Sequence, residues 1–352
     1  MGRVRYIIIG AGAVGGTIGG CLFQGGHEVV LVARGTHLDA LRSHGLRLAT
    51  PLGTQVLPIP AVSGAAEVEL RHDDVLILAT KTQDAAALLA EWAWQPVAAP
   101  GGQPDGAVAA EVVPVVCAQN GVVSERFALR RFRHVYGMYV WLPATHLEPG
   151  TVAAQGAPLA GLLQVGRYPA GTDPTAGRIG EDLTKSRFLA PVSADVMRWK
   201  YGKLLDNLNN AIEALCGREH TGFGAEPQSD DAAGLYQRTR AEGTAALRAA
   251  GIAHASHAEL AEVIGDRVRI EQVSGSARSG GSSWQSLTRG TGTIEADFLN
   301  GEIALLGRTH GVPAPVNATL QRLANEAARQ GRAPGGMTPA EILSAAHRTE
   351  SP

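Results

Sequence analysis

A lysine and two asparagines are spaced so that a helix would place them on a common face. Lys203, Asn207 and Asn210 stand at positions i, i+4 and i+7, which share one side of a helix. A lysine and two amides buried among apolar residues must either be satisfied within the protein or be offered to a ligand. The pattern therefore predicts a small-molecule site with a proton donor. The alternative is a partly exposed polar stripe without chemistry.

Lysine is rare in this chain, which makes each one informative. The 31 basic residues include only four lysines, at positions 81, 185, 200 and 203. Because arginine supplies the general positive charge, a lysine indicates a role that a guanidinium fills poorly, such as proton donation. Lys200 lies one turn before Lys203, and we expect its replacement to cost much less activity than replacement of Lys203.

A glycine pattern near the start of the chain predicts a dinucleotide site. Gly10, Gly12 and Gly15 form G-x-G-x-x-G directly after the apolar run 4–9 and at the start of a predicted helix. In this motif the first glycine makes a tight turn, the second lets the backbone approach a pyrophosphate, and the third lets the helix pack closely on the strand. The strand–helix–strand context favours this interpretation over an ordinary tight turn.

The end of the second predicted strand indicates which dinucleotide binds. An NAD-specific site usually has an acidic residue about 20 residues after the glycines, but here the strand EVVLVA is followed by Arg34 and Gly35. A guanidinium pairs with the 2′-phosphate of NADP, whereas a carboxylate would repel that phosphate. We therefore expect NADP(H). The alternative for Arg34 is a solvated surface arginine.

Two further polar residues follow apolar strands. Lys81 ends the strand that begins at Asp74, and Asn120-Gly121 follows the run 112–118. Ligands of open α/β sheets bind at the carboxyl ends of the strands, so both positions are candidates for cofactor contacts. Asn-Gly is also a common hairpin turn, but the helical pattern at 124–131 favours a loop between a strand and a helix.

Strand and helix signals alternate through the first part of the chain, and helices dominate from about Ser193. The fold class that this predicts is α/β: an N-terminal Rossmann-type dinucleotide-binding domain followed by an all-α C-terminal domain. We expect the domains to be 1–192 and 193–335, with a tail at 336–352. Antiparallel strands are expected at the sheet edge between 136 and 165. The run ADVMRWKYGKLLDNLNNAIEAL predicts one helix of about six turns, and SGSARSGGSS (274–283) is typical of a flexible linker.

Composition excludes several classes of protein. The chain has 352 residues and a net charge of −2, which does not favour a nucleic-acid or membrane-surface partner. It contains no stretch of about 18 apolar residues, which a membrane span would need, and no signal-peptide pattern, so we expect a cytoplasmic protein. Cys21, Cys117 and Cys216 are too widely spaced to suggest a metal site. A monomer and a homodimer both remain open.

Several separated motifs together resemble the ketopantoate reductase (2-dehydropantoate 2-reductase) family, within the 6-phosphogluconate-dehydrogenase-like superfamily. The resemblance runs from Gly10 to about Arg332. The family's glycine fingerprint, its arginine after the second strand, its lysine at a strand end and its N-G pair have counterparts here. Its K-L-x-x-N run matches K203-L204-L205-D206-N207. Its serine pair precedes a glutamate, and Ser283 lies 12 residues before Glu295, at the family's spacing.

The resemblance implies hydride transfer from NADPH to the C2 carbonyl of a 2-oxo acid, with Lys203 as the general acid. Glu295 would hold Lys203 or bind the cofactor ribose, although an acid at a helix start is also favourable with the helix dipole. Asn207, Asn210 and Ser283 would bind the substrate. The cofactor-binding residues that the resemblance implies are Gly10, Ala11, Gly12, Ala13, Val14, Gly15, Arg34, Lys81, Asn120 and Ala144.

The chain also departs from the family pattern. Ala211 stands where the family usually has its second asparagine, Trp284 stands in place of a methionine, and Trp141 is bulkier than expected. These differences leave open whether the substrate is ketopantoate, a closely related 2-oxo acid, or a different 2-oxo or 3-hydroxy acid. A non-catalytic NADPH-sensing protein is a further alternative, but a sensor would need neither Lys203 nor Glu295.

Overall fold

The structure is a computed structural model that describes residues 4–99, 104–146, 148–217, 229–273 and 280–350. The chain forms two compact units. The first comprises Met1–Lys200 and Ser256–Ala277, and the second comprises Tyr201–Ala255 and Arg278–Pro352.

The strands lie in the first unit and are short. In chain order they are β1 (Arg5–Ile9), β2 (Glu28–Val32), β3 (Leu46–Thr50), β4 (Gly53–Leu57), β5 (Ala61–Val62), β6 (Leu70–Arg71), β7 (Asp74–Leu78), β8 (Pro96–Ala98), β9 (Pro104–Val108), β10 (Val115–Cys117), β11 (Val135–Trp141), β12 (Ala144–Thr145), β13 (Thr151–Ala154), β14 (Gly156–Pro158), β15 (Leu162–Arg167) and β16 (Val268–Ile270).

The helices occur in both units. They are α1 (Ala13–Gln24), α2 (Gly35–His44), α3 (Ala85–Ala93), α4 (Ala109–Val112), α5 (Ser124–Leu129), α6 (Pro174–Lys185), α7 (Val196–Asn207), α8 (Asn209–Cys216), α9 (Asp230–Ala249), α10 (His257–Ile264), α11 (Ser282–Thr288), α12 (Asn300–His310), α13 (Pro315–Arg329) and α14 (Pro339–Glu350). Short 3₁₀ turns occupy Ala65–Glu67, Thr82–Asp84 and Glu295–Phe298.

The main sheet has the strand order β15-β11-β10-β7-β1-β2-β5. The strands from β11 to β5 are parallel to their neighbours, and β15 pairs antiparallel with β11. The Rossmann-type sheet and its antiparallel edge strand are therefore confirmed. In this order the carboxyl ends of β1, β2, β7 and β10 lie along one edge, which is where such sheets bind ligands.

Side chains of the main sheet alternate between two apolar layers. Tyr6 and Ile8 pack with α1 and α6 on one face, and Ile7 and Ile9 pack with α3 and α5 on the other. Because successive side chains of a strand point to opposite faces, the run of apolar residues in β1 fills both layers. Helices on both faces are the usual setting of a parallel sheet.

The remaining strands form smaller sheets. One of them has the order β12-β13-β3-β4, so β12 and β13 do not extend the edge of the main sheet as the sequence predicted for this region. β16 lies in the second half of the chain and pairs antiparallel with β14. The second half is therefore not wholly helical, because the chain returns to the first unit at Ser256.

The second unit is a group of helices, several of which share an apolar core. This core includes Ile212 of α8, Leu235 of α9, Leu320 of α13 and Ile342 of α14. The sequence predicts a tail at 336–352 with a short helix in it, and α14 (Pro339–Glu350) is a helix that packs into this unit. The predicted domain boundaries after residues 192 and 335 differ from the observed division into two compact units. This division depends on packing between segments that are distant in sequence and not on local composition.

The run expected to be one long helix is divided at Leu208 into α7 and α8. The backbone N–H of Leu208 still donates to the carbonyl of Leu204 at 3.0 Å, while the Leu208 carbonyl accepts a hydrogen bond from Asn300 Nδ2 at 3.1 Å. Helix α9 packs closely beside the break, because a Cβ atom on Gly243 would lie 2.7 Å from Leu205 Cδ2. Tertiary contacts therefore accompany an interruption that helical periodicity does not reveal.

The prediction of a flexible linker at 274–283 is wrong at the C-terminal end of this run. Residues 274–279 lie outside the described residues, but Ser282 and Ser283 belong to α11.

Cys21, Cys117 and Cys216 are buried free thiols. No helix among the described residues combines the length and apolarity that a bilayer crossing requires.

Candidate active site

The glycine turn between β1 and α1 has the geometry of a dinucleotide-binding loop. Gly10 has a φ of +101°, and a Cβ atom on it would lie 2.5 Å from Thr80 Cγ2. A Cβ atom on Gly15 would lie 2.0 Å from the Gly10 carbonyl oxygen. Around Gly12, in contrast, no described atom outside its chain neighbours and the adjoining helix backbone lies within 4 Å of the Cβ position. Gly10 and Gly15 are thus required by the protein itself, whereas the space at Gly12 fits a phosphate group approaching the backbone.

Helix α1 begins at this turn with suitable electrostatics. Gly12 is its N-cap residue, the helix continues through Ala13 and Val14, and its first turn contains no acidic residue. Helix N-termini attract anions through their free N–H groups and their dipole. The loop and helix start therefore have features that suit the pyrophosphate of a dinucleotide, and binding there stays a prediction.

His37 of α2 supports the turn from the side. Its Nε2 atom lies 2.9 Å from the Ala11 carbonyl oxygen, and its Nδ1 atom accepts a hydrogen bond from the Gly150 N–H at 2.9 Å. This pattern requires the neutral ring with the proton on Nε2. Burial lowers the pKa of His37, although the hydrogen bond to Ala11 opposes this. Sequence reasoning missed His37, since nothing local links it to a turn 26 residues earlier.

Arg34 follows β2 as the N-cap residue of α2. Its side chain is 70% exposed, and Nη2 lies 3.5 Å from Glu91 Oε2 on α3. An exposed pair at this distance is held weakly. The guanidinium is therefore available at the end of β2, the strand whose end holds the ribose in dinucleotide-binding sheets of this kind.

Lys81 and Asn120 are brought to the same edge of the sheet. Lys81 is the N-cap residue of the 3₁₀ turn after β7, and Asn120 follows the neighbouring strand β10. The two loops touch, because a Cβ atom on Gly121 would lie 2.6 Å from Thr82 Oγ1. Strands β10 and β11 are parallel, so Asn120-Gly121 is not a hairpin turn and lies in a loop that leads to α5.

Ala144 lies on a different sheet from these residues. It belongs to β12 and pairs with Ala154 of β13. Strand β13 packs on α1, where a Cβ atom on Gly16 would lie 2.7 Å from Val152 Cγ2. Ala144 therefore lies in the first unit on a sheet that contacts the helix of the glycine turn.

Lys200 forms a buried ion pair. Only 2% of its side chain is exposed, and its Nζ atom is paired with the carboxylate of Glu125, which is fully buried. The same nitrogen lies 3.4 Å from the Cys117 carbonyl oxygen. The sequence indicated Lys200 as a mild control for Lys203, but removal of this lysine would leave a buried carboxylate unpaired.

Lys203, Asn207 and Asn210 all lie in the second unit. Lys203 is half-buried, Asn207 is 3% exposed, and Asn210 is also buried. Lys203 and Asn207 are on α7, whereas Asn210 is on α8. The Asn207 Nδ2 atom is buried and has no hydrogen-bond partner among the described residues. Because nearly all buried polar groups of folded proteins are hydrogen-bonded, this donor is placed to bind a ligand.

Ser283 and Glu295 are also buried residues of the second unit. Ser283 is in the first turn of α11, and its neighbour Ser282 accepts a hydrogen bond from Asn210 Nδ2 at 3.5 Å. Glu295 begins the 3₁₀ turn Glu295–Phe298 and not an α-helix. A buried acid at this position is more than a surface charge that complements a helix dipole.

One buried acid of this region was not expected from the sequence. Glu213 of α8 is 5% exposed and accepts a hydrogen bond from the Gly281 N–H at 2.8 Å. The signal that could have revealed it is its position three residues after Asn210, which places both on one side of a helix.

Comparisons with known proteins agree with the fold. The family profile described as Ketopantoate reductase PanE/ApbA matches residues 6–169, and that described as Ketopantoate reductase PanE/ApbA C terminal matches residues 195–328. Together the two ranges include every candidate site residue described above.

Relatives and solved structures cover nearly the whole chain. It is 25% identical over 328 residues to a 2-dehydropantoate 2-reductase of Pyrococcus horikoshii, covering 91% of this chain and 96% of the relative. It is 27% identical over 335 residues to one of Halobacterium salinarum, covering 93% and 100%.

Two solved structures share the fold. A PanE/ApbA family ketopantoate reductase from Ralstonia eutropha JMP134 superposes with a TM-score of 0.73 at 24% identity, covering 93% of this chain and 99% of that one. A ternary structure of D-mandelate dehydrogenase with NADH and anilino(oxo)acetate gives a TM-score of 0.74 at 21% identity, with the same coverage. Because the family profiles match both parts of the sequence, the chain belongs to the ketopantoate reductase family of dinucleotide-dependent oxidoreductases that act on CH–OH groups.

Proposed function

We propose that this protein uses NADPH to reduce 2-dehydropantoate, or a closely related 2-oxo acid, to the 2-hydroxy acid. The observation that carries the proposal is the buried Asn207 Nδ2 donor, which has no partner among the described residues and lies one turn from Lys203. A carbonyl, hydroxyl or carboxylate oxygen of the substrate would satisfy it.

The first unit would hold the cofactor. The open space at Gly12 and the start of α1 fit the pyrophosphate, and the exposed Arg34 fits the 2′-phosphate. Lys81 adds a second positive charge for the ribose or phosphate, and Asn120 orients the nicotinamide or the substrate. When bound, the reduced nicotinamide supplies the hydride that is added to the C2 carbonyl carbon of the substrate.

Lys203 would supply the proton. A ketone that accepts hydride becomes an alkoxide unless a proton reaches its oxygen, so a general acid is needed within hydrogen-bond reach. The Lys203 ammonium both polarises the carbonyl and donates this proton to the oxygen. Glu295 either orients Lys203 or binds the cofactor ribose. Asn207, Asn210 and Ser283 bind the hydroxyl and carboxylate groups of the substrate.

Two departures from the family pattern lead us to propose a substrate class slightly wider than 2-dehydropantoate alone. Ala211 is buried in the apolar core of the second unit, so no amide is available where the family usually has its second asparagine. Trp284 is half-buried beside Ser283 and replaces a smaller methionine. Both changes favour a substrate whose side chain has less hydrogen-bonding capacity than that of 2-dehydropantoate.

The test is a steady-state assay of NADPH oxidation by the purified protein against a panel of 2-oxo acids with different side chains. We expect the highest kcat/KM for 2-dehydropantoate or a close analogue, and a lower value with NADH than with NADPH. Binding of NADPH without turnover of any 2-oxo or 3-hydroxy acid would favour the sensing alternative and contradict the proposal.

A further inference from the structure

The carboxylate of Glu213 lies at the entry to helix α11, where the proposed reaction gives it no role. Glu213 is 5% exposed, and its Oε2 atom accepts the hydrogen bond from the Gly281 N–H at 2.8 Å. Gly281 is the N-cap residue of α11. The carboxylate therefore satisfies a backbone donor at the end of the segment that leads into the helix of Ser283.

The two residues before α11 are shaped around this carboxylate. A Cβ atom on Gly280 would lie 2.7 Å from Glu213 Oε1, and one on Gly281 would lie 2.7 Å from Oε2. Gly281 has a φ of −60°, which any residue can adopt. Glycine is therefore needed at 281 for the close approach of the carboxylate and not for an unusual backbone conformation.

Neighbouring contacts tie the same turn to α8. Asn210 Nδ2 donates to Ser282 Oγ at 3.5 Å, and a Cβ atom on Gly281 would lie 3.0 Å from Asn210 Oδ1. Within the turn itself, Gln285 Nε2 donates to the Gly280 carbonyl at 3.1 Å. A helix of seven residues is too short to be stable by itself, so its position depends on contacts of this kind.

We propose that Glu213 is a positioning residue for substrate binding: with Asn210 it fixes the first turn of α11 and thereby holds Ser283 in place. This inference rests on the proposed function for the role of Ser283. The negative charge suits this position, because a carboxylate at a helix N-terminus interacts favourably with the helix dipole. Glu213 itself does not touch the reacting atoms.

The test compares Glu213→Ala and Glu213→Gln with variants of Glu242, a half-buried carboxylate of the same unit that also accepts backbone N–H groups at a helix start. Glu242 accepts the N–H groups of Val316 and Asn317 at 2.9 Å each, so it caps α13 as Glu213 holds α11. In Glu213→Ala we expect the KM for the 2-oxo acid to rise about 10- to 100-fold, which is the effect of losing a hydrogen bond to a charged group. The Kd for NADPH should change less than about twofold, within the scatter expected of remote sites.

The Glu213→Gln variant should have a KM close to that of the wild type, because its amide oxygen accepts a hydrogen bond from the same Gly281 N–H. Glu242→Ala should lower the melting temperature and leave KM unchanged. Equal effects of the Glu213 and Glu242 variants on KM, or a Glu213→Ala variant with normal KM, would overturn the proposal. If Glu213→Ala does not fold, Gly281→Ala tests the same contact by adding one methyl group against the carboxylate.

Hydrogen exchange of the α11 amides separates this proposal from the proposed function. We expect faster exchange at Ser282–Thr288 in Glu213→Ala than in Glu242→Ala, with or without a 2-oxo acid. Unchanged exchange there would refute the positioning role even in an active enzyme. Faster exchange in Glu213→Ala, when even the wild-type protein reduces no 2-oxo acid, would support the role of Glu213 in fixing α11 and refute the proposed reaction.

Discussion

Two lysines of helix α7, one turn apart, lie in different settings. Lys200, near the beginning, is buried and paired with the buried carboxylate of Glu125. Lys203, one turn later, is half-buried and precedes the orphaned amide of Asn207. A buried cation paired with a buried carboxylate stabilises the fold, whereas a half-buried cation one turn before the Asn207 amide is suited to act on a ligand. Burial thus distinguishes two lysines that sequence position alone does not.

The largest effect is expected from the second of these lysines. Lys203→Ala should lower kcat for 2-oxo acid reduction by about 10²–10⁴, the usual contribution of a general acid, and leave the Kd for NADPH nearly unchanged. Lys203→Arg should restore little, because a guanidinium remains protonated near neutral pH. Single-turnover kinetics and NADPH fluorescence titration measure the two quantities. A Lys203→Ala enzyme with a kcat near that of the wild type would show that Lys203 is not the general acid.

The first lysine should affect stability instead. Lys200→Ala leaves the Glu125 carboxylate buried without its partner, and we expect a loss of about 3–5 kcal/mol in the free energy of unfolding. Denaturant unfolding of Lys200→Ala and of the double variant Lys200→Ala/Glu125→Ala measures it. The double variant should lose less than the sum of the two single changes, because no unpaired charge remains. A stable but inactive Lys200→Ala protein would reverse the roles of the two lysines.

The contrast also shows which features the sequence could reveal. The glycine turn, the alternating strands and Arg34 are local sequence patterns. They can be interpreted from the backbone geometry of strands, turns and helices alone. The Lys200–Glu125 pair joins residues 75 positions apart, and the contact between Glu213 and Gly281 spans 68. No periodicity carries such information. The break at Leu208 and the return of the chain at Ser256 were missed for the same reason.

Two arginines of the first unit extend the comparison. Arg5 is buried and makes two hydrogen bonds of 2.7 Å to the Asp74 carboxylate, while Arg34 is largely exposed. Arg34→Ala should weaken NADPH binding about tenfold or more, because one charged contact to phosphate is lost, and should change NADH binding little. Isothermal titration with both cofactors measures this effect.

The paired arginine provides the control. Arg5→Ala should lower the melting temperature while the folded protein keeps its preference for NADPH. Glu91→Gln removes the carboxylate 3.5 Å from Arg34 and should leave NADPH binding unchanged or slightly tighter. Equal affinities of the wild-type protein for NADPH and NADH would show that Arg34 is only a surface residue.

The smallest effect is expected from a group that supports the cofactor loop without touching a ligand. His37 uses both ring nitrogens, toward the Ala11 carbonyl and the Gly150 N–H, and burial lowers its pKa. As the pH falls below about 6.5, the unfolded chain therefore binds a proton before the folded one does. The stability that His37 contributes is present above that pH and is lost on acidification, by at most about 1.4 kcal/mol per pH unit.

Urea unfolding between about pH 8 and pH 5 should show a steeper loss of stability for the wild type than for His37→Gln, whose side chain does not titrate. Parallel pH profiles would mean that the ring adapts to protonation. The cofactor loop would then depend on its glycines and on β2 and not on a neutral histidine.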